Sequence, residues 1–208
     1  MLGRRNAWQA LSLNPGSTAA RQQVLGRAET LAQALRGQVA NVAGEEADQR
    51  IHATNLVSEV NTAASGLAAL NHDILVTEQN GTDAGVLRDR RDVLATRLAE
   101  LTGGVTTVQA DGQFTVTVAG TPLVQGKEAG TFVLASGITP AGAADGSPIT
   151  YRIDASWGST VLPSGATGPG GELGAVTEVL TTTLPAYRAG LDAVAADLAA
   201  TVNAQQEI

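Results

Sequence analysis

His52 and His72 are the chain's two imidazoles, so imidazole metal binding or general-base chemistry would have to use them. The apolar spacing around them predicts one continuous helix. On it the two rings would stand about 30 Å apart, too far to share an ion. Neither a His-x-His pair nor an HExxH motif is present. Serines are plentiful, but the G-x-S-x-G turn that exposes a nucleophilic serine is absent. A Ser-His-Asp triad would have to draw on a histidine lying on a rod, which offers no concave, water-excluding site. The glycines of Gly165–Gly174 (GATGPGGELG) lack the GK[ST] ending of a phosphate loop and the strand–turn–helix frame of a dinucleotide fold. They read as a flexible loop entering a helix. Asn80-Gly81-Thr82 matches a glycosylation triplet by chance. There is no cysteine, which removes disulfides, thiol nucleophiles and thiolate metal sites. No residue is therefore named as catalytic, cofactor-binding or metal-ligating; no cofactor is expected, and the chain is not expected to be an enzyme. The densest charge cluster, Arg88-Asp89-Arg90-Arg91-Asp92, opens a short predicted helix. It reads either as a solvated, self-paired face or as a device pinning that helix against its neighbours or an adjacent subunit.

The elements that would carry these residues are long helices at both ends. Leu173, Val176, Leu180, Leu184, Tyr187, Leu191, Val194, Leu198 and Val202 are spaced 3, 4, 4, 3, 4, 3, 4 and 4. That spacing predicts a helix with a narrow apolar seam, and a seam needs a partner helix running nearly alongside. Pro185 removes a backbone hydrogen bond inside it, and Thr181-Thr182-Thr183 weakens it further, so a kink or local break is expected there. At the other end, Asn6 to Leu13 is a short apolar piece closed by Asn14-Pro15. Ser17 is a candidate N-cap. Val24, Ala28, Leu31, Leu35, Val39 and Val42, then Ile51, Leu56, Val60, Ala64, Leu67, Leu70 and Ile74, predict one helix from 17 to 79. It would be roughly 90 Å long, with a possible bend near Gly44. Asn80-Gly81-Thr82-Asp83 forms a turn with an N-cap candidate. A helix over 84–102 follows, ended by Gly103-Gly104.

The period then changes to two. Thr107–Gln109 and Gln113–Val118 flank Asp111-Gly112, a hairpin signal, with Phe114, Val116 and Val118 on one face. Thr131–Ala135 reads as a strand. So does the alternation of Ile149, Tyr151 and Ile153 with Thr150, Arg152 and Asp154. Residues 136–148 and 158–171 read as loops. The expected class is α+β: an elongated bundle of long helices from both chain ends (1–104 plus 171–208) with a small antiparallel β domain (105–170) inserted between them.

Bulk composition narrows the function. The net charge is −7 with one lysine, Lys127, so no basic patch exists to hold a phosphate backbone and nucleic acid is not an expected partner. No apolar run reaches the ~18 residues that span a bilayer, so no membrane is expected either. MLGRRNAWQA lacks the apolar stretch of a secretory signal. Six aromatics in 208 residues leave a core of Ala, Val and Leu, which suits closely packed helices.

Several segments together resemble the flagellar hook-associated protein 1 family, over nearly the whole chain and in order. Gly170/Gly171 to Gly174, Leu184-Pro185, Leu191-Asp192 and Val202-Asn203 match the end of that family's middle region. Asn14-Pro15 and Ala20-Arg21 match its N-terminal segment, Leu87 to Asp92 its helix start, and Asp111-Gly112 with Pro122-Leu123-Val124 its β hairpins. The resemblance implies a structural, extracellular role in the bacterial flagellum: a ring of copies adapting hook to filament, exported without a cleaved signal. Implied partners of the full-length form are copies of itself, the hook protein, the neighbouring junction protein and an export chaperone. The family's terminal coiled-coil segments are absent, so the chain is expected to be an engineered middle fragment, monomeric alone, with a closing Glu207-Ile208 that is not native. Rival readings are another flagellar axial protein (flagellin or the third junction protein) and a surface adhesin on a helical stalk.

Overall fold

A computed structural model describes residues 17–204, with side-chain environments through residue 201. The piece expected over 6–13, the Asn14-Pro15 turn and residues 207–208 lie outside the described residues.

Helix α1 spans Thr18–Gln79. Ser17 caps it, its Oγ accepting from the Ala20 N–H at 3.3 Å while its carbonyl accepts from Arg21 N–H. Helix α2 spans Gly85–Thr102 and ends at Gly103, which is left-handed (φ 66°) and closes on the Ala99 carbonyl. Its start departs from expectation. Ala84 occupies the N-cap with no side-chain hydrogen bond, and the Asp83 carboxylate instead accepts from Arg88 at 2.7 Å. The guanidinium of Arg88 outcompetes the neutral backbone N–H groups for that carboxylate.

Two antiparallel sheets follow. The first runs β1 (Val105–Val108), β2 (Phe114–Val118), β3 (Thr121–Gln125) and β4 (Glu128–Ala129), in spatial order. The second runs β5 (Thr131–Ser136), β6 (Thr150–Ala155) and β7 (Gly158–Val161). The Asp111-Gly112 hairpin forms between β1 and β2, pairing Val108 with Phe114, and Asp111 Oδ1 accepts from Gln113 N–H at 3.0 Å. Strand β7 corrects the expectation of a loop from 158 to 171. Its four residues are all exposed, so no apolar alternation marks it; it pairs with β6 through a two-residue turn at Ser156-Trp157.

The second helical stretch begins as α3 (Gly171–Glu178), passes through a π-helical turn (Val179–Thr183) and continues as α4 (Leu184–Ala204). The break expected at Pro185 is thus a widened turn inside a continuous helix, with the Leu184 N–H reaching back to the Val179 carbonyl. A π turn absorbs an extra residue, which is one way a helix accommodates a proline ring against the preceding carbonyls.

By internal contacts the chain parts into two compact units, 1–45 with 185–208, and 46–184. These cuts differ from the expected division at 104/105 and 170/171, which marks where helices give way to strands. In the unit 46–184, Ala53, Leu56, Val60, Ala64 and Leu67 of α1 bury against Leu98 and Leu101 of α2. The same core takes in Val116, Val118, Leu123 and Val124 of the first sheet, Phe132, Tyr151 and Ile153 of the second, and Leu173 of α3. Each such Leu, Ile or Phe contributes about 1.5–3 kcal/mol by leaving water. Among the described residues, the other unit is a pair of helical segments. Ala28, Ala32, Leu35 and Val39 face a shallow groove with Leu191, Ala195, Leu198 and Ala199, while Tyr187 and Val194 stand 52% and 54% exposed.

Candidate functional site

One set of polar side chains converges where α1 meets the two sheets. Asn61 donates from Nδ2 to the Phe132 carbonyl at 2.9 Å and accepts the Phe132 N–H on Oδ1 at 2.7 Å. Its amide thereby pairs with β5 as a neighbouring strand would. Asn71 repeats the device on the first sheet. Its Nδ2 donates to the carbonyls of Phe114 (2.8 Å) and Gly126 (2.7 Å), and its Oδ1 accepts the Phe114 N–H at 3.0 Å. Asn71 is fully buried, in line with Leu67 and Ile74 on the apolar face of α1. One helix therefore fixes the register of both sheets through two side-chain amides.

Arg91 completes the Asn71 node. It is 5% exposed, and its guanidinium lies 3.7 Å over the Phe114 ring. Nη1 donates to the Gly112 carbonyl at 2.9 Å and to Asn71 Oδ1 at 3.3 Å, while Nε, also buried, has no partner. Burial lowers its pKa from the usual arginine value, and the nearby Asp92 opposes that shift. The charge cluster at 88–92 is thus divided. Arg91 pins α2 to the first hairpin, and Arg88 pairs with Glu78 and Asp83 across the α1–α2 turn. Of the two readings of this cluster, pinning against neighbouring elements describes Arg91.

A second convergence links three helices. Arg97 of α2 meets Glu59 of α1 at 2.7 Å, Glu172 of α3 at 2.6 Å and Glu100 at 3.2 Å. The Arg97 hydrogen bond holds the Glu59 carboxyl below its usual range, and the three carboxylates raise the Arg97 pKa. Beside it the chain crosses itself at glycines. Gly170 N–H donates to the Thr102 carbonyl at 2.8 Å. A Cβ on Gly171 would lie 2.1 Å from the Glu100 carbonyl oxygen, and Gly171 itself sits at φ 59°. The Gly170-Gly171 pair of the GATGPGGELG run is therefore a backbone crossing over the end of α2, not only a flexible lead-in.

The remaining expected positions come together nowhere. His52 and His72 are both exposed on α1. Among the described residues no group of three His, Cys, Asp or Glu side chains could hold a metal, and no helix is long and apolar enough to cross a membrane. A cavity of about 740 Å³ is walled by the 163–171 loop, α3 and the π turn. Its Tyr151 hydroxyl is 2.8 Å from Thr177 Oγ1, and burial raises the phenol pKa, which keeps it neutral. Asn61, Asn71 and Arg97 were not singled out in the sequence. For Asn71 the available signal was a polar residue inside an apolar stripe.

Comparison with known proteins matches residues 4–208 to the family described as the flagellar hook-associated protein FlgK helical domain. The chain belongs to this hook-associated family. It is 32% identical over 126 residues to flagellar hook-associated protein 1 of Salmonella typhimurium and, equally, of Salmonella typhi. That alignment covers 58% of the chain and 22% of each relative, so the chain spans about a fifth of their length. The flagellar hook junction protein FlgK from Burkholderia pseudomallei shares the fold, with a TM-score of 0.68 at 23% identity over 85% of this chain and 31% of that one. For a hook-associated family member, the convergent polar groups have a structural meaning: Asn61, Asn71, Arg91 and Arg97 bind backbone, ring or carboxylate of the same chain.

Proposed function

We propose that this chain is a structural segment of a hook–filament junction subunit and that it works by packing against other subunits, without catalysis. The observation that carries this reading is the family match over 4–208, which assigns the chain to flagellar hook-associated proteins. The helical pair 17–45 and 185–204 supports it. Its large apolar residues Leu25, Tyr187 and Val194 lie open to solvent, as a subunit contact would require. In this reading the helical residues 1–104 and 171–208 carry the contacts, and the β-rich residues 105–170 are an insertion. The partners of the full-length form are copies of itself in a ring, the hook protein and the adjoining junction protein, with a chaperone during export. The subunit acts outside the cell after export without a cleaved signal.

Immunogold electron microscopy with antibody against the chain tests this. One cluster of label where hook meets filament is the expected result. Label along the filament would transfer the chain to a filament role, and label over the cell body with bare flagella would overturn the axial reading.

A further inference from the structure

A second open cavity of the unit 46–184 is lined by Trp157, at the tip of the β6–β7 turn. Its volume is about 570 Å³, and its walls come from four separate places in the fold. His72, Leu75, Val76 and Gln79 stand on α1, Gln113 precedes β2, and Gln125, Lys127 and Glu128 surround the β3–β4 turn. Trp157 is 38% exposed. Its turn is held in place because the Ser156 hydroxyl donates to Glu128 Oε2, bracing the second sheet against the first.

The chemistry of this lining is specific. An indole face offers a flat apolar platform with a negative quadrupole, which attracts polarised C–H groups. Around it sit amide side chains, each presenting donors and an acceptor in one plane. The single lysine and Glu128 cancel in charge. A ligand that suits all three features is uncharged, has one apolar face of C–H groups, and carries an equatorial rim of hydroxyls that both donate and accept. A pyranose ring has that form, and the volume accommodates two or three of them. A proline-rich peptide fits less well, because such peptides dock in grooves lined by several aromatics, and here Trp157 is the sole aromatic lining residue.

We propose that the hollow beneath Trp157 binds a neutral oligosaccharide, with Trp157 as the stacking platform and Gln79, Gln125 and Lys127 as hydroxyl partners. The proposal stands independently of the junction role.

The test is fluorescence titration of the full chain carrying Trp8→Phe, so that Trp157 is the one emitting indole. The probes are chitotriose, maltotriose and a decaproline peptide. The expected result is a saturable blue shift with at least one sugar, with Kd below about 10 mM as is common for a single weak subsite. Gln125→Ala should weaken that binding by about fivefold or more. Saturation-transfer NMR with the same sugar should lose its signal in Trp157→Ala, an exposed change that leaves the circular dichroism unaltered. No saturable shift with either sugar, equal binding by Trp157→Ala, or saturation by decaproline alone would each overturn the proposal.

Discussion

Replacing Gly171 by alanine is the sharpest test of the crossing that joins the sheets' return path to α2. Two separate costs attach to one methyl group. Gly171 sits at φ 59°, a left-handed conformation that costs a residue with a Cβ about 1–2 kcal/mol. The added carbon would also lie 2.1 Å from the Glu100 carbonyl oxygen and 2.9 Å from the carbonyl carbons of Glu100 and Leu101. These are backbone atoms of a packed helix end, with no flexible side chain to swing aside. Overpacking of this kind costs about 1–3 kcal/mol and sometimes more. Together the loss is about 2–5 kcal/mol, a large share of the ~5–15 kcal/mol that holds a domain.

The control is Gly112→Ala. Gly112 is equally left-handed at φ 78°, but nothing lies within 4 Å of its Cβ position. It should lose only the conformational part, about 1–2 kcal/mol. Urea unfolding followed by Trp157 fluorescence in the Trp8→Phe chain reports the unit containing both glycines. The two variants should differ by about 1–3 kcal/mol, roughly 5- to 150-fold in the unfolding equilibrium. If Gly171→Ala costs no more than Gly112→Ala, the close approach to Glu100 is not a constraint and the crossing is looser than described.

Asn71→Ala leaves two carbonyls and the Phe114 N–H without their partner, and should cost at least about 3 kcal/mol in urea unfolding at roughly 1–3 kcal/mol per orphaned group. Asn61→Ala orphans one N–H and one carbonyl of Phe132 and should cost about two-thirds as much, at least about 2 kcal/mol by the same measure. Arg91→Met removes a buried cation with an unpartnered Nε while keeping apolar cover for Phe114, so it should change stability by less than about 1 kcal/mol in either direction; a loss above that would mean the guanidinium is a net anchor. The Glu59 carboxyl is held below its ordinary value of 4.5 by Arg97. Its contribution is therefore complete above that value and is lost as pH falls through the lower folded value. Thermal melts should be level from neutral pH to about 5 and decline below, and Arg97→Met should make that acid decline shallower.

The helices were legible because each follows one physical rule over a long distance. Helix α1 runs from Ser17's cap to the Asn80-Gly81 turn, where its spacing predicted, and α2 stops at the left-handed Gly103. Strands β2, β5 and β6 were legible because one face is buried and the other is not, as in Val116 and Val118 against Thr115 and Thr117. Strand β7 was not, since an edge strand exposed on both faces has no period to read. The turn into β3 was hidden too. Ala119-Gly120 adopts positive φ at both positions, a hairpin geometry that Asn-Gly or Asp-Gly would have announced.

The interior anchoring was hidden for a different reason. A side-chain amide that replaces a strand partner obeys no sequence period; it is defined by which backbone lies opposite. Asn61 and Asn71 could have been solvated helix residues, and only the arrival of Phe132 and Phe114 turns each into a two-way clamp. The C-terminal seam shows the converse limit. Its nine apolar positions obey one spacing throughout, yet Leu173 and Val176 bury in the core while Tyr187 and Val194 beyond the π turn stay open. Spacing tells which residues share a face. It does not tell whether that face meets its own chain or awaits another, and in a protein of an assembling family the second case is where subunit contacts are to be sought.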